Sequence, residues 1–181
     1  MNKIHYPNNL GKKYLEVFKE DLKALQSQWG NLRKQYPALN KFPQRIRTIL
    51  TADFSKLTDL FFDYKQLPNT IKKQFFIKIK KTRQISFLNY NKYSKAISKF
   101  FCDYNEEMQL FSCCYCDIHP IGKYSIEINN SRKTFWRTFD LDHFYPQNQC
   151  PLLALSLNNL VPSCQVCNSR VKGCIDLLSF Y

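Results

Sequence analysis

Four of the eight cysteines in this 181-residue chain fall into two C-x-x-C pairs, Cys113-Cys114-Tyr115-Cys116 and Cys164-Gln165-Val166-Cys167. Each pair offers two sulfurs on a tight turn, and together they fill the tetrahedron that Zn²⁺ prefers. The spacing predicts a structural zinc held by Cys113, Cys116, Cys164 and Cys167. A redox use of C-x-x-C would want a βαβ context, and none accompanies these pairs. Cys114 could replace Cys113 as a ligand, yet only Cys113 and Cys116 have the right spacing. Cys102, Cys150 and Cys174 have no partner spacing and read as buried small apolar residues. The gap from Cys116 to Cys164 holds 47 residues, longer than zinc-ribbon spacings, so something else must be built between the knuckles. That insert carries Asp140-Leu141-Asp142-His143-Phe144 and Asn158-Asn159-Leu160-Val161-Pro162.

Asp142-His143, then Asn159-Leu160, then Cys164-x-x-Cys167-Asn168 resemble, in that order, the HNH endonuclease family. The resemblance covers roughly residues 111–174 and implies a ββα-metal fold, in which a zinc held by two C-x-x-C pairs braces a hairpin and a helix. It implies His143 as the general base that activates water and Asp142 beside it as a ligand of a divalent metal. Asn159 matches the middle Asn, which fixes the loop between the two strands. Asn158 is its rival, but the directly following Leu160-Val161-Pro162 favours Asn159. Asn168 takes the last position as second ligand; many members have His there, and Asn is a known variant.

The chemistry suits these residue types. Phosphodiester hydrolysis needs an activated water, charge neutralisation on the phosphate and help for the leaving oxygen. A hard cation such as Mg²⁺ or Mn²⁺ takes one or two protein oxygens and keeps waters and substrate oxygens in its other positions. Asp142 and the carbonyl of Asn168 would supply such oxygens. Imidazole titrates near working pH, so His143 can take the proton from water. A two-metal site would want more carboxylates than the insert contains, so the expectation is one metal.

The surrounding elements must position these groups. Leu15, Phe18, Leu22, Leu25 and Trp29 recur at spacings of three and four, an apolar helix stripe that Gly30 and Asn31 should end. Pro43 suits the first residue of a short helix through Leu50. Thr51 or Asp53 can cap a helix carrying Phe54, Leu57, Leu60, Phe61 and Tyr64, and Leu67-Pro68-Asn69 is a break. From Thr70 to Arg83 the chain is at its most basic, and it fits a basic amphipathic helix slightly better than a strand. Another helix is expected around Tyr93–Phe101. Beyond it, Tyr124–Ile128 and Thr134–Asp142 alternate with period two, the second delivering Asp142-His143 at its end. Pro146–Ser156 reads as a loop, Leu160-Val161 as a short strand, and a closing helix from near Ser163 should present Asn168, Arg170 and Lys172.

Charge divides the chain. Residues 1–110 hold 21 Lys and Arg against 9 Asp and Glu, and residues 111–181 hold 6 against 5, within a total of +13. A strongly basic half commonly marks a polyanion partner. Lys72, Lys73, Lys80 and Lys81, with Arg170 and Lys172 in the C-terminal part, are the candidate nucleic-acid contacts. The expected architecture is α+β: a basic helical domain over 1–110, then a zinc-braced HNH domain over 111–181. The start is no signal peptide, no apolar run approaches 18 residues, and the cysteines are placed for metal rather than disulfides, so a cytoplasmic protein is expected.

Together these readings imply a metal-dependent endonuclease, DNA favoured over RNA as substrate. Two rivals are a non-catalytic zinc module that binds nucleic acid through a vestigial site, and an interaction protein whose helical half docks on a larger partner. Size and domain order also resemble the small HNH subunit that accompanies an ATPase in Septu-type and retron-linked anti-phage systems. That likeness implies an ATPase partner and, where retron-linked, a reverse transcriptase complex.

Overall fold

Helices dominate the first hundred residues, interrupted by one pair of strands, and short strands dominate beyond them, where apolar stripes at helical spacing give way to period-two alternation. The computed structural model describes residues 4, 6, 7, 9–80, 83–86, 88–129 and 132–171. Its helices are α1 (Leu10–Leu15), α2 (Leu22–Gln35), α3 (Ile46–Leu50), α4 (Phe54–Lys65), α5 (Asn69–Lys72) and α6 (Tyr90–Asp103). Its strands are β1 (Phe76–Lys80), β2 (Arg83–Ser86), β3 (Lys123–Asn129), β4 (Arg132–Arg137), β5 (Asp140–His143) and β6 (Leu160–Ser163). They pair as three two-stranded sheets, β1–β2, β3–β4 and β5–β6. The fold is mixed helix and sheet. No helix among the described residues is long and apolar enough to cross a membrane.

Two compact units emerge, and they do not follow a boundary at residue 110. One comprises 11–95 together with 145–160; the other comprises 96–144 and 161–171 with the described part of 1–10. The segment 145–160 joins the helices for a physical reason. The Tyr14 hydroxyl donates to the carbonyl of Leu155 at 2.9 Å, and the Ser156 hydroxyl to that of Ile49 at 2.8 Å. Asn158 Nδ2 donates to the Ala52 carbonyl at 2.6 Å, and Tyr145 stacks on Phe61 with ring centroids 4.2 Å apart. Leu152, Leu153, Leu155 and Leu157 are all buried. The connection expected as a loop over Pro146–Ser156 is irregular, with one 3-10 turn at Pro151–Leu153, and from Cys150 onward it is buried.

In the helical unit, α4 begins where the sequence expects: Asp53 Oδ1 accepts the N–H of Lys56 at 2.8 Å, an N-cap bond. Leu57, Leu60, Phe61 and Tyr64 turn inward, as their spacing requires. Trp29 is fully buried and donates its indole N–H to the Pro43 carbonyl at 2.9 Å. That bond gives Pro43 a role outside the helix, since α3 starts only at Ile46.

Two expectations fail here. The long first helix is broken into α1, a 3-10 turn over Glu16–Phe18 and α2, and α2 continues past Gly30 to Gln35. The stop is Pro37, which pushes Tyr36 into an extended conformation (φ −127°, ψ 91°). The basic stretch from Thr70 is not one helix either. Only 69–72 is α-helical; Phe76–Lys80 and Arg83–Ser86 form an antiparallel hairpin with Phe76 opposite Ser86 and Ile77 opposite Ile85. The alternation of Ile77, Lys78, Ile79 and Lys80 after Phe76 outweighed the charge pattern, because β-branched and aromatic residues fit a pleat better than a helix face.

The other unit holds the β3–β4 hairpin, with Tyr124 opposite Trp136 and Lys123 opposite Arg137. Residues 96–103 of α6 attach to it through ion pairs and hydrogen bonds: Asp103 pairs with Lys99 and, at 3.2 Å, with Lys123, and Arg137 donates to Ser98. The Thr138 hydroxyl accepts the Gly122 N–H and donates to the Pro120 carbonyl, both at 3.0 Å, joining this hairpin to the loop that carries the first cysteine pair.

Gly30 offers a check on α2. A Cβ built there meets nothing within 4 Å, and glycine inside a helix costs entropy that alanine does not. Gly30→Ala should stabilise the protein by about 0.5–1 kcal/mol in urea unfolding. A destabilised variant would show that residue 30 is not inside a regular helix.

Candidate functional site

The first knuckle closes because the chain reverses immediately after Cys116. Cys113 N–H donates to the His119 carbonyl at 2.8 Å and Asp117 N–H to the Cys113 carbonyl at 2.9 Å. Asp117 sits at φ 55°, a left-handed conformation that Asp tolerates better than most non-glycine residues. The second knuckle follows β6: Cys167 N–H donates to Cys164 Sγ at 3.4 Å and Asn168 N–H to the Cys164 carbonyl at 2.9 Å. The knuckles meet directly, with Cys164 N–H donating to Cys113 Sγ at 3.2 Å and Cys114 N–H to the Pro162 carbonyl at 3.1 Å.

As a result the ligand sulfurs of Cys113, Cys116, Cys164 and Cys167 lie within 4.8 Å of one another, the one such cluster of His, Cys, Asp or Glu among the described residues. Four sulfurs at about 2.3 Å from a tetrahedral Zn²⁺ would stand about 3.8 Å apart, so a small contraction completes the site. Backbone N–H groups aimed at sulfur favour thiolate. The N–H groups of His119 and Ile118, with the His119 ring 3.7 Å away, pull the Cys116 thiol down to about 5. Burial, and hydrogen bonding with the neighbouring cysteines, push the Cys167 thiol the other way. A divalent cation resolves that conflict by neutralising all four at once. This donor set can hold a metal ion, and its chemistry fits zinc. Cys114 is buried outside the cluster, and its thiol is pushed up to about 12 by burial. Cys150 is buried and likewise pushed up to about 12, Cys102 is half-buried, and Cys174 lies outside the described residues.

Asp142 and His143 end β5, in the same compact unit as the cysteines. Leu141 is buried, while Asp140, Asp142 and His143 are half-buried, with Asp140 and Asp142 on one face of the strand by alternation. Asp142 is held from two sides. Its Oδ1 accepts the backbone N–H of His143 at 2.7 Å, and its Oδ2 accepts the hydroxyl of Tyr115 at 2.6 Å. Burial and the Asp142 charge push the Tyr115 hydroxyl well above its ordinary range, so it stays a donor. A carboxylate carries about four lone-pair sites, so Asp142 can keep both bonds and still meet a cation.

Asn168 falls in a π-helical turn over Cys167–Val171 rather than a regular helix. Its Nδ2 donates to Asp140 Oδ2 at 3.5 Å, and Asp140 Oδ1 lies 3.9 Å from Arg137. Oxygen donors from Asp140, Asp142 and Asn168 therefore belong to one unit, a donor chemistry that fits a hard cation. Sequence reasoning passed over Tyr115 and Asp140. The available signals were Tyr115's place inside C-x-x-C and the i, i+2 spacing of Asp140 and Asp142 on one strand face.

Asn159 belongs to the other unit, where it is fully buried. Its Oδ1 accepts the N–H of Tyr145 at 2.7 Å, and its Nδ2 donates to the carbonyls of Tyr145 and Leu153 at 3.1 and 2.9 Å. One amide thus ties down the chain two residues beyond His143. Its rival Asn158 donates instead to Ala52.

The basic candidates scatter. Lys72 Nζ donates to the Lys65 carbonyl at 2.7 Å, where it caps the C-terminal end of α4 instead of reaching outward. Lys73 and Arg170 are exposed. Lys80 lies in β1 with its side chain outside the described residues, and Lys81 and Lys172 lie outside them altogether. No protein-family model, curated protein or solved structure matches the chain.

Two tests follow from this geometry. The purified chain should carry about one equivalent of zinc, and Cys164→Ser should lose it, with unfolding of the cysteine-bearing unit; zinc undiminished in that variant would rule out this ligand set. Asn159→Ala removes three buried hydrogen bonds to the Tyr145 and Leu153 backbone and should cost about 3 kcal/mol in urea unfolding. A cost below about 1 kcal/mol would mean that water or a shifted chain replaces the amide.

Proposed function

We propose that the chain is an HNH-type endonuclease that hydrolyses phosphodiester bonds, with DNA favoured over RNA. The observation that carries the reading is Asp142-His143 at the end of β5. There the Asp142 carboxylate is fixed by donors on both oxygens, in the unit that also holds the four-cysteine cluster and Asn168. Zinc at Cys113, Cys116, Cys164 and Cys167 is structural in this reading. A Mg²⁺ or Mn²⁺ bound by Asp142 and Asn168 would polarise the phosphate and stabilise the leaving oxygen.

The protein's own groups do the rest. The His143 imidazole takes the proton from the attacking water, and the His143 backbone N–H holds one oxygen of the neighbouring Asp142 carboxylate. Asp140 accepts from the Asn168 amide nitrogen, so the amide's oxygen is the atom left to act as ligand. The total charge of +13 favours a polyanionic substrate. The narrower likeness to anti-phage subunits extends the proposal to an effector acting with an ATPase encoded beside it.

His143→Ala removes the base without touching zinc ligands or metal oxygens. Assayed on plasmid DNA with Mg²⁺ or Mn²⁺ and with that ATPase present, it should fold and keep zinc yet cut about 10²–10⁴-fold more slowly. Asp142→Ala should regain part of its rate at raised Mn²⁺, and Asn168→His should keep some activity. Cleavage by His143→Ala at the wild-type rate would overturn this assignment of the site.

A further inference from the structure

The first cysteine pair brings one more group to the candidate site. Tyr115 lies between Cys114 and Cys116, so the winding of the knuckle fixes its backbone, and its hydroxyl reaches Asp142, 27 residues away in sequence, at 2.6 Å. That distance is at the short end for a hydroxyl donating to a carboxylate, a bond stronger than one between neutral groups. The other oxygen of Asp142 is bonded to the backbone at 2.7 Å. One oxygen is therefore anchored by β5 itself, and the other by the turn that carries two of the four clustered sulfurs.

We propose that Tyr115 is a positioning residue that preorganises the Asp142 carboxylate for a hard divalent cation and makes cation binding depend on an intact cysteine cluster. The inference rests on Asp142 being a ligand, as proposed above. A free aspartate rotates about two side-chain bonds, and binding a cation must freeze that motion. Tied at both oxygens, Asp142 has already lost that freedom on folding, so the cation meets a fixed carboxylate. Partners of this kind behind a metal ligand are worth about 10- to 100-fold in metal affinity. Leu141 and Phe144, buried on either side of the Asp142-His143 pair, keep the strand end from adjusting to replace the lost anchor.

Tyr115→Phe removes the hydroxyl and keeps the ring. In the zinc-loaded full-length chain, Mn²⁺ binding can be followed by loss of the free-ion electron paramagnetic resonance signal. Mn²⁺ competes poorly for thiolates, so the two metals can be counted separately. The expected result is an unchanged zinc content, Mn²⁺ binding weakened about 10- to 100-fold in Tyr115→Phe, and Mn²⁺ binding abolished in Asp142→Ala. Undiminished affinity in Tyr115→Phe, with binding lost in Asp142→Ala, would overturn the role of Tyr115 and leave Asp142 as a ligand. Equal Mn²⁺ binding by all three proteins, or none by wild type, would overturn the ligand assignment and this inference together. Loss of zinc from Tyr115→Phe would also overturn it, because the hydroxyl would then serve the knuckle.

Discussion

Four thiols separated by up to 54 positions along the chain cannot be packed within 4.8 Å without a reason to stay there. Buried sulfur gains little from other sulfur, and the thiolate form is costly in an apolar surround. A divalent cation reverses that balance, since each thiolate then adds to the binding free energy. The rest of the unit depends on this contact. The first knuckle carries Tyr115 and leads through Thr138 into the β3–β4 hairpin. The second continues from β6 into the turn bearing Asn168. The cluster joins the knuckle loop to the π-helical turn, beside the Tyr115–Asp142, Cys114–Pro162 and Asn168–Asp140 hydrogen bonds that tie the same elements to β5 and β6.

A second constraint operates on the connection between β5 and β6. A long connection is free to wander, yet here it is buried, and its polar backbone must be satisfied. Asn159 does this with three hydrogen bonds from a single side chain, while Asn158, Ser156 and Tyr14 each spend a polar group on the same segment. Leu152, Leu153, Ala154, Leu155 and Leu157 are buried around these bonds, so the polar groups of the segment are satisfied where its apolar side chains leave water.

Much of this was legible in the sequence wherever a local rule dominates. The cysteine spacing identified the sulfur cluster, because C-x-x-C dictates a turn whatever surrounds it. Asp53 identified the start of α4, because a cap acts within three residues. Period-two alternation located β3, but the second alternating stretch, expected as one strand from Thr134 to Asp142, is divided into β4 and β5 in separate sheets. Where two local signals competed, tertiary contact decided. Gly30 looked like a helix end, but Trp29 is anchored to Pro43 and Leu25 is buried, so α2 runs on past it. The basic stretch from Thr70 satisfied a helix in its charges and a strand in its apolar residues, and the strand prevailed. The burial of 145–160 left no local trace. Its partners, Tyr14, Ile49, Ala52 and Thr58, lie about a hundred residues upstream, beyond the reach of any windowed pattern.

Ligand chemistry also bears on how one small unit could hold two different cations. The cluster offers four sulfurs, soft donors that select zinc over magnesium or manganese. Asp142, Asn168 and Asp140 offer oxygens, hard donors that suit the opposite choice. Tyr115 stands at the junction: its neighbours in sequence belong to the sulfur turn and its hydroxyl to the oxygen set. In the proposed function, the soft sulfurs would hold a permanent metal and the hard oxygens an exchangeable one. The division of labour in the proposed function needs that asymmetry. The cation that holds the fold must not leave when substrate arrives, whereas the one that meets the phosphate must be free to enter with waters still attached.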